Sequence, residues 1–252
     1  MKTGNDTPVR ISIVTVCYNS EETIAQTIES VLMQTYPAFE YIIEDGLSTD
    51  KTLEIAESFR RAFNDKGIKY TIVSQRDDGI YDAMNKGIGL TSGDLVGLIN
   101  SDDWYERDAL ETVAECYERT GFDLFYADLR MVLPGGGSFI KRARNRKYQT
   151  SRDWNHPTTF ITRELYGKYR YRNETLHDDY DLILRLRKAG VHTETVNKVI
   201  ANFRMNGVSH QRNMRKALER CGIKYRIYRE NGYSPFYFFE CFGVELAKLI
   251  IG

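Results

Sequence analysis

Leu98 Ile99 Asn100 Ser101 Asp102 Asp103 is an apolar run that ends in two adjacent carboxylates. The run reads as a buried strand. A strand of this kind delivers its terminal side chains to the edge where open α/β sheets bind ligands. Two close carboxylates repel each other unless a cation or a proton joins them. Oxygen ligands suit Mg²⁺ or Mn²⁺, which bind through one or two carboxylates together with substrate phosphates. The pair therefore points to a metal-bound phosphorylated ligand. The plainer reading is two solvated loop aspartates, one of them capping a helix over about Arg107–Arg119.

Upstream of this stretch, β-branched runs alternate with segments of helical periodicity. Arg10–Cys17, Phe39–Ile43, Tyr70–Ser74 and Asp94–Ile99 read as strands. Between them, Glu21–Met33 repeats Ile24, Ile28, Val31 and Leu32 at helical spacing, Ser48 or Thr49 caps a helix running through Phe63, and Ile80–Ile88 forms another. This order predicts a largely parallel sheet with helices on both faces, a nucleotide-binding type of α/β half. Downstream come a strand at Leu124–Asp128, a turn at Gly135–Gly137 and a basic stretch, Lys141–Arg152, expected to be a mobile loop. Helices follow at Arg163–Tyr169 and Asp178–Ala189, then a short strand Glu194–Val199 and a helical C-terminal region. Residues 1–205 are expected to form the main domain, with halves 9–103 and 104–205, and residues 206–252 a helical extension.

Composition narrows the function. The chain has 252 residues, and Lys plus Arg and Asp plus Glu both total 35. With no basic excess, a dedicated nucleic-acid binder is disfavoured. Cys17, Cys116, Cys221 and Cys241 are scattered, without zinc-ligand spacing, and read as reduced packing residues. The first ten residues lack an apolar signal core, and no stretch reaches the length of a membrane span, so a cytoplasmic location is expected.

Other candidate sites lie on loops and helix starts. Asp45 closes the second strand beside the loop after the first, Thr15–Asn19, where a carboxylate can accept hydrogen bonds from a base or ribose. Part of that segment, Asp-Gly followed by Ser, Thr and Asp, is ordinary turn and cap chemistry. Arg76, Asp78 and Lys86 are available for ligand contacts or ion pairs. Gly87, Gly89 and Gly93 follow a helix and precede a strand, the reverse of a dinucleotide fingerprint, and there is no GxxxxGK[ST] phosphate loop. Asp178 and Asp179 open a helix, where capping explains one carboxylate and leaves the other free as a candidate general base. His156 and His210 are candidate acceptor or metal contacts, with a purely structural role as the alternative.

Taken together, five segments resemble family 2 glycosyltransferases with the GT-A fold. They are Val14–Asn19, Asp45–Thr52, Gly79–Gly87, Asn100–Asp103 and Asp178–Leu182, in the family's order and spacing over about Arg10 to Phe203. The resemblance implies a Rossmann-like, mostly parallel sheet and an inverting, non-processive transferase, since a QxxRW-type motif is absent. It implies that Thr15, Tyr18, Asp45 and Arg76 contact the nucleotide. Asp102 then faces ribose and metal, Asp103 binds Mn²⁺ or Mg²⁺ directly, and Asp179 is the catalytic base. Asp178 stands where the family often has Glu. The implied partners are a nucleotide-sugar donor, by family habit a uridine diphosphate sugar, and a glycan or lipid-linked oligosaccharide acceptor in bacterial surface polysaccharide synthesis.

Two other functions compete. A sugar nucleotidyltransferase also pairs carboxylates with a metal, but it needs a Gly-rich basic loop after the first strand, where this chain has Cys17 Tyr18 Asn19 Ser20 Glu21 Glu22. A non-catalytic nucleotide-sugar-binding module has no use for Asp179. The aromatic segment Tyr233–Ile251, beside Lys224, Arg226 and Arg229, is expected to lie on the inner face of the cell membrane. Its alternatives are packing on the catalytic domain and a homodimer contact.

Overall fold

The computed structural model describes residues 8–205 and 214–250. The first half runs β1 (Ile11–Cys17), α1 (Ile24–Leu32), β2 (Glu40–Asp45), α2 (Thr52–Ser58), α3 (Arg60–Asp65), β3 (Lys69–Ser74), α4 (Ile80–Gly89) and β4 (Leu95–Leu98). The second runs β5 (Trp104–Tyr105), α5 (Ala109–Thr120), β6 (Leu124–Val132), β7 (Ser138–Lys141), β8 (Phe160–Thr162), α6 (Arg163–Lys168), α7 (Asp178–Lys188) and β9 (Thr193–Arg204). Two helices close the chain, α8 (Met214–Glu230) and α9 (Tyr237–Ile250).

The strands form one sheet in the order β3-β2-β1-β4-β8-β6-β9-β5, with β7 paired to β6. The first four strands are parallel, as their sequence predicts. Beyond β4 the sheet is mixed: β8 pairs antiparallel with β4 and β6, while β6 and β9 run parallel through a register shift around Asp128. The expectation of a mostly parallel sheet thus holds for the N-terminal half. β1 and β2 are buried along their whole length because helices cover both faces. Ile11, Ile13 and Cys17 pack with α1 and α5, and Val14 and Val16 pack with α4 and α7.

Two glycines let elements approach closely. A Cβ on Gly87 would lie 2.4 Å from Val14 Cγ1, so α4 lies directly on β1. A Cβ on Gly97 would lie 2.4 Å from Phe160 Cε1, where β4 meets β8.

Three local expectations change. The helix expected through Phe63 is split at Phe59 into α2 and α3. The second piece brings Phe63 inward, fully buried, to stack on Tyr70 with ring centroids 4.4 Å apart. The basic stretch Lys141–Arg152 is held by two buried carboxylates rather than mobile. Asp128 accepts Arg142 Nη1 at 2.6 Å and the Ala143 amide at 2.7 Å. Asp153 pairs with Arg146 and accepts the Thr150 amide at 3.0 Å. Finally, the short strand expected at Glu194–Val199 is the middle of the twelve-residue β9.

The C-terminal helices pack on the domain. Cys221, Ile227, Tyr228 and Cys241 belong to the same buried cluster as Val14, Val96 and Leu182. The Tyr228 hydroxyl lies 3.2 Å from that of Tyr180 on α7, and Asn231 Nδ2 donates to Asp181 Oδ1 at 3.0 Å. Lys224, expected on the outer surface, is buried with its ammonium 2.9 Å from Glu245. All four cysteines are buried and unbridged. Among the described residues, no helix is long and apolar enough to cross a membrane.

Candidate active site

The loop after β4 is a tight turn, closed by the Asp103 amide donating to the Asn100 carbonyl at 3.1 Å. It is tied to the loop after β1 by Ser101 Oγ and Ser20 Oγ, 2.8 Å apart, and to α1 by Thr27 Oγ1 donating to the Asp103 carbonyl at 2.6 Å. Asp103 is thereby fully enclosed. Its Oδ1 accepts the Arg204 amide from the end of β9 at 3.1 Å, and its Oδ2 is buried with no partner. Asp102 is half-buried, and its carbonyl accepts Arg204 Nε at 3.3 Å. The Arg204 guanidinium lies over the Trp104 ring at 5.1 Å and also reaches Gln26.

Burial, reinforced by the neighbouring Asp102, holds the Asp103 carboxyl well above the usual carboxylate range. Burial also raises Asp102, opposed by Arg204. A cation removes both penalties at once. The orphaned Oδ2 and the hard oxygen donors of the pair fit Mn²⁺ or Mg²⁺, which fill their remaining positions with phosphate and water. No group of three or more metal-ligating side chains occurs among the described residues.

Asp179 faces the same region from the other half of the domain. It opens α7, where its Oδ1 accepts the Tyr180 amide at 2.7 Å. Together with Asn100, His156, Pro157, Ile80, Tyr81, Met84 and Phe203 it lines a cleft of about 130 Å³. Asn100 thus joins the metal-pair loop to the candidate base. The adjacent Asp178 is spent on structure: it is buried, and its oxygens accept the Glu174 amide at 2.5 Å, the Thr175 amide at 3.0 Å and Thr175 Oγ1 at 2.6 Å.

His156 enters the cleft on a single 3₁₀ turn, His156–Thr158, between Trp154 and Tyr171. Burial lowers its basicity, and the nearby Asp179 works against that shift. Tyr81 stacks on Tyr171 at 5.3 Å and donates to the Leu176 carbonyl at 3.2 Å, which fixes the wall beside Asp179.

The expected nucleotide contacts divide. Tyr18 is exposed at the end of β1, its ring against Gly46 of the loop after β2. Arg76 is exposed, and its carbonyl accepts Lys86 Nζ at 2.7 Å. Lys86 also pairs with Asp82 at 2.7 Å. Thr15 does not reach the site: alternation along β1 turns its side chain into the core, where Oγ1 meets the Tyr41 hydroxyl at 2.9 Å. Asp45 is fully buried and already saturated. Its carboxylate accepts the Ser48 amide at 3.0 Å, Ser48 Oγ at 2.5 Å, Ser74 Oγ at 2.6 Å and Cys17 Sγ at 3.6 Å. The acceptor left open at this edge is instead Glu44, whose Oε2 has no partner while Oε1 accepts Gln75 Nε2 at 2.6 Å. His210 lies outside the described residues.

Sequence reasoning missed Asn100, Tyr81 and Phe203 as cleft residues. Asn100 stands in the decisive stretch itself, but strand and turn patterns do not show which loop side chain faces inward. Tyr81 and Phe203 carry no pattern in the sequence that sets them apart.

Residues 12–181 match the family described as Glycosyl transferase family 2. A PGL/p-HBAD biosynthesis glycosyltransferase of Mycobacterium bovis is 31% identical over 201 residues, covering 76% of this chain and 75% of the relative. The crystal structure of S. aureus TarS 1–349 in complex with UDP-GlcNAc superposes with a TM-score of 0.66 at 17% identity, over 95% of this chain and 72% of that one. The mannosyltransferase PcManGT of Pyrobaculum calidifontis, solved with GDP-Man and Mn²⁺, gives a TM-score of 0.70 at 15% identity, over 98% and 75%. Both structures share the GT-A fold with this molecule. With two thirds of its length matched by the family and the fold in common, this chain is a member of glycosyl transferase family 2.

Proposed function

We propose that this glycosyltransferase moves one sugar from a nucleoside diphosphate sugar, a uridine diphosphate sugar by our reading, to a hydroxyl of a glycan or lipid-linked oligosaccharide acceptor, with inversion. The observation that carries the proposal is the single cleft lined by both Asn100, on the loop of Asp102 and Asp103, and Asp179. Donor binding is assigned to residues 9–103, with Tyr18 and Arg76 on the nucleotide, and acceptor binding to residues 104–205. Residues 206–252 are treated as an appended segment. Asp103 and Asp102 would hold Mn²⁺ or Mg²⁺, which would supply positive charge toward the diphosphate. Asp179 takes the proton from the acceptor hydroxyl, whose oxygen attacks the anomeric carbon from the face opposite the diphosphate. The carbon–oxygen bond to the diphosphate breaks, and free nucleoside diphosphate departs. His156 and Asn100 Oδ1 offer hydrogen-bonding groups to sugar hydroxyls in the cleft.

The test is a donor panel scored by release of nucleoside diphosphate onto lipid-linked and free glycan acceptors, with Mn²⁺ and after chelation. Transfer should need the metal, and Asp103→Ala should weaken donor binding itself. Donor binding that is indifferent to both chelation and Asp103→Ala would remove the metal pair from the mechanism.

A further inference from the structure

An irregular stretch, residues 169–177, joins α6 to α7 and ends two residues before Asp179. It forms neither helix nor strand, so its backbone groups need partners from elsewhere. Helix α4 supplies them. Asn85 treats Tyr171 as a strand would treat a neighbour: Nδ2 donates to the Tyr171 carbonyl at 2.9 Å, and Oδ1 accepts the Tyr171 amide at 3.1 Å. Tyr81 stands four residues earlier on the same helix face, and its hydroxyl donates to the Leu176 carbonyl at 3.2 Å. Just ahead of the helix, the Asp78 carbonyl accepts Asn173 Nδ2 at 3.1 Å, where Asn173 takes a left-handed backbone with φ of 60°. The stretch answers with Arg170 Nη1, which donates to the Asn85 carbonyl at 3.0 Å.

The far side of the stretch is held by α7 itself. Arg185 Nη2 donates to the Arg170 carbonyl at 2.6 Å, and Asp178 accepts the Glu174 and Thr175 amides. The stretch is thus clamped between the helix that carries Asp179 and a helix of the N-terminal half. That second helix is seated on β1 through Gly87, two residues beyond Asn85, where a Cβ would strike Val14. Tyr81 also lines the cleft together with Asp179. Burial, reinforced by the charge of Asp179, holds the Tyr81 phenol well above its usual range, so its hydroxyl remains a hydrogen-bond donor.

We infer that Tyr81 and Asn85 are positioning residues, through which α4 sets the place of Asp179 against the donor-binding strand β1 by gripping the stretch that leads into α7. The inference rests on the reading of Asp179 as the base. Proton abstraction requires the base within hydrogen-bond reach of the acceptor hydroxyl while the donor lies at the end of β1. These two places belong to segments about 160 residues apart in sequence, and α4 touches both. Neither side chain needs to meet a sugar to matter: each acts through the backbone it holds.

The test uses Tyr81→Phe, which keeps the ring on Tyr171 and removes only the hydroxyl, and Asn85→Asp, which sets an acceptor against the Tyr171 carbonyl. Initial rates are taken with the donor selected by the panel above, at a temperature where circular dichroism shows each variant folded. A shift of about 1 Å at a reacting group costs about 10²-fold, so each variant should lower kcat by about 10–100-fold. KM for the donor should hold, because Tyr18 and Arg76 are untouched. In the Asp179→Asn background, Tyr81→Phe should slow transfer no further, since no base remains to be placed. A merely structural role would instead lower the melting temperature and add the same factor in either background. Amide exchange read by mass spectrometry should quicken over 170–177 in Asn85→Asp while β1 keeps its protection. Should Asn85→Asp fail to fold, Tyr81→Phe decides alone. The proposal is overturned by wild-type kcat in Tyr81→Phe, by equal slowing with and without Asp179, or by a loss confined to donor KM. A wild type that transfers nothing from any donor overturns the transferase reading and this proposal with it, whereas wild-type transfer with unaffected variants overturns this proposal alone.

Discussion

Asp178 and Asp179 are neighbours of the same type with opposite duties, so substituting each by Asn gives a sharp comparison. In Asp178→Asn, an NH₂ group replaces an oxygen that accepts backbone N–H groups from Glu174 or Thr175. One or two buried hydrogen bonds are lost and donors are set against donors, at a cost of about 1–3 kcal/mol. For a chain of this size that is a fall of about 2–12 °C in melting temperature. In Asp179→Asn, the hydrogen bond from the Tyr180 amide is kept by the Asn carbonyl. Stability should stay within about 0.5 kcal/mol. Removing the general base should nonetheless slow transfer about 10²–10⁴-fold while donor binding persists. Melting curves and initial rates of product formation on the two variants decide the matter. If Asp178→Asn melts like the wild type but is inactive, and Asp179→Asn is active but unstable, the assignment of base and brace is reversed and the mechanism fails with it.

Three further outcomes follow from the geometry. Asp45→Asn should cost about 1–3 kcal/mol, because four donors then face half the acceptors, while Arg76→Ala should leave stability unchanged and raise the KM for donor; paired melts and kinetics separate the two. Gly97→Ala should destabilise the sheet by about 1–3 kcal/mol through its collision with the enclosed Phe160 ring, measured by urea unfolding. Because burial depresses His156 below its ordinary 6.5, the unfolded chain takes up its proton first; stability from this group is complete above that pH and is lost as pH falls toward the folded value. The wild type should therefore lose melting temperature more steeply than His156→Gln between about pH 7.5 and 5.5, and parallel curves would show that His156 does not titrate in a buried setting.

The parallel half of the fold was legible because its strands are short, largely apolar runs that alternate with segments of helical periodicity. Ile11–Cys17 and Lys69–Ser74 lie within a residue of their expected bounds. The mixed half was not. β8 has three residues and β5 two, too few to show a period, and β9 alternates poorly because it bends through a register shift against β6. Their identity as strands comes from partners far away in sequence. In the site, the acid pairs at a strand end and at a helix start stand out by pattern, and the family resemblance picks Asp103 and Asp179 within them. Asp45 looked equally good. Its saturation depends on Ser74, on the next strand, and no pattern local to Asp45 reveals that bond. The basic loop read as mobile because its anchors, Asp128 and Asp153, lie outside the basic run.

The amide of Arg204 reaches back 101 residues to Asp103. A ribosome that has made the whole N-terminal half has still not made the group that steadies its innermost carboxylate. A fragment ending before β9 would carry Asp102 and Asp103 without their clamp, and would lack β9's pairing with β5 beside them. The clamp on Asp103 is therefore completed only once the end of β9 has been made.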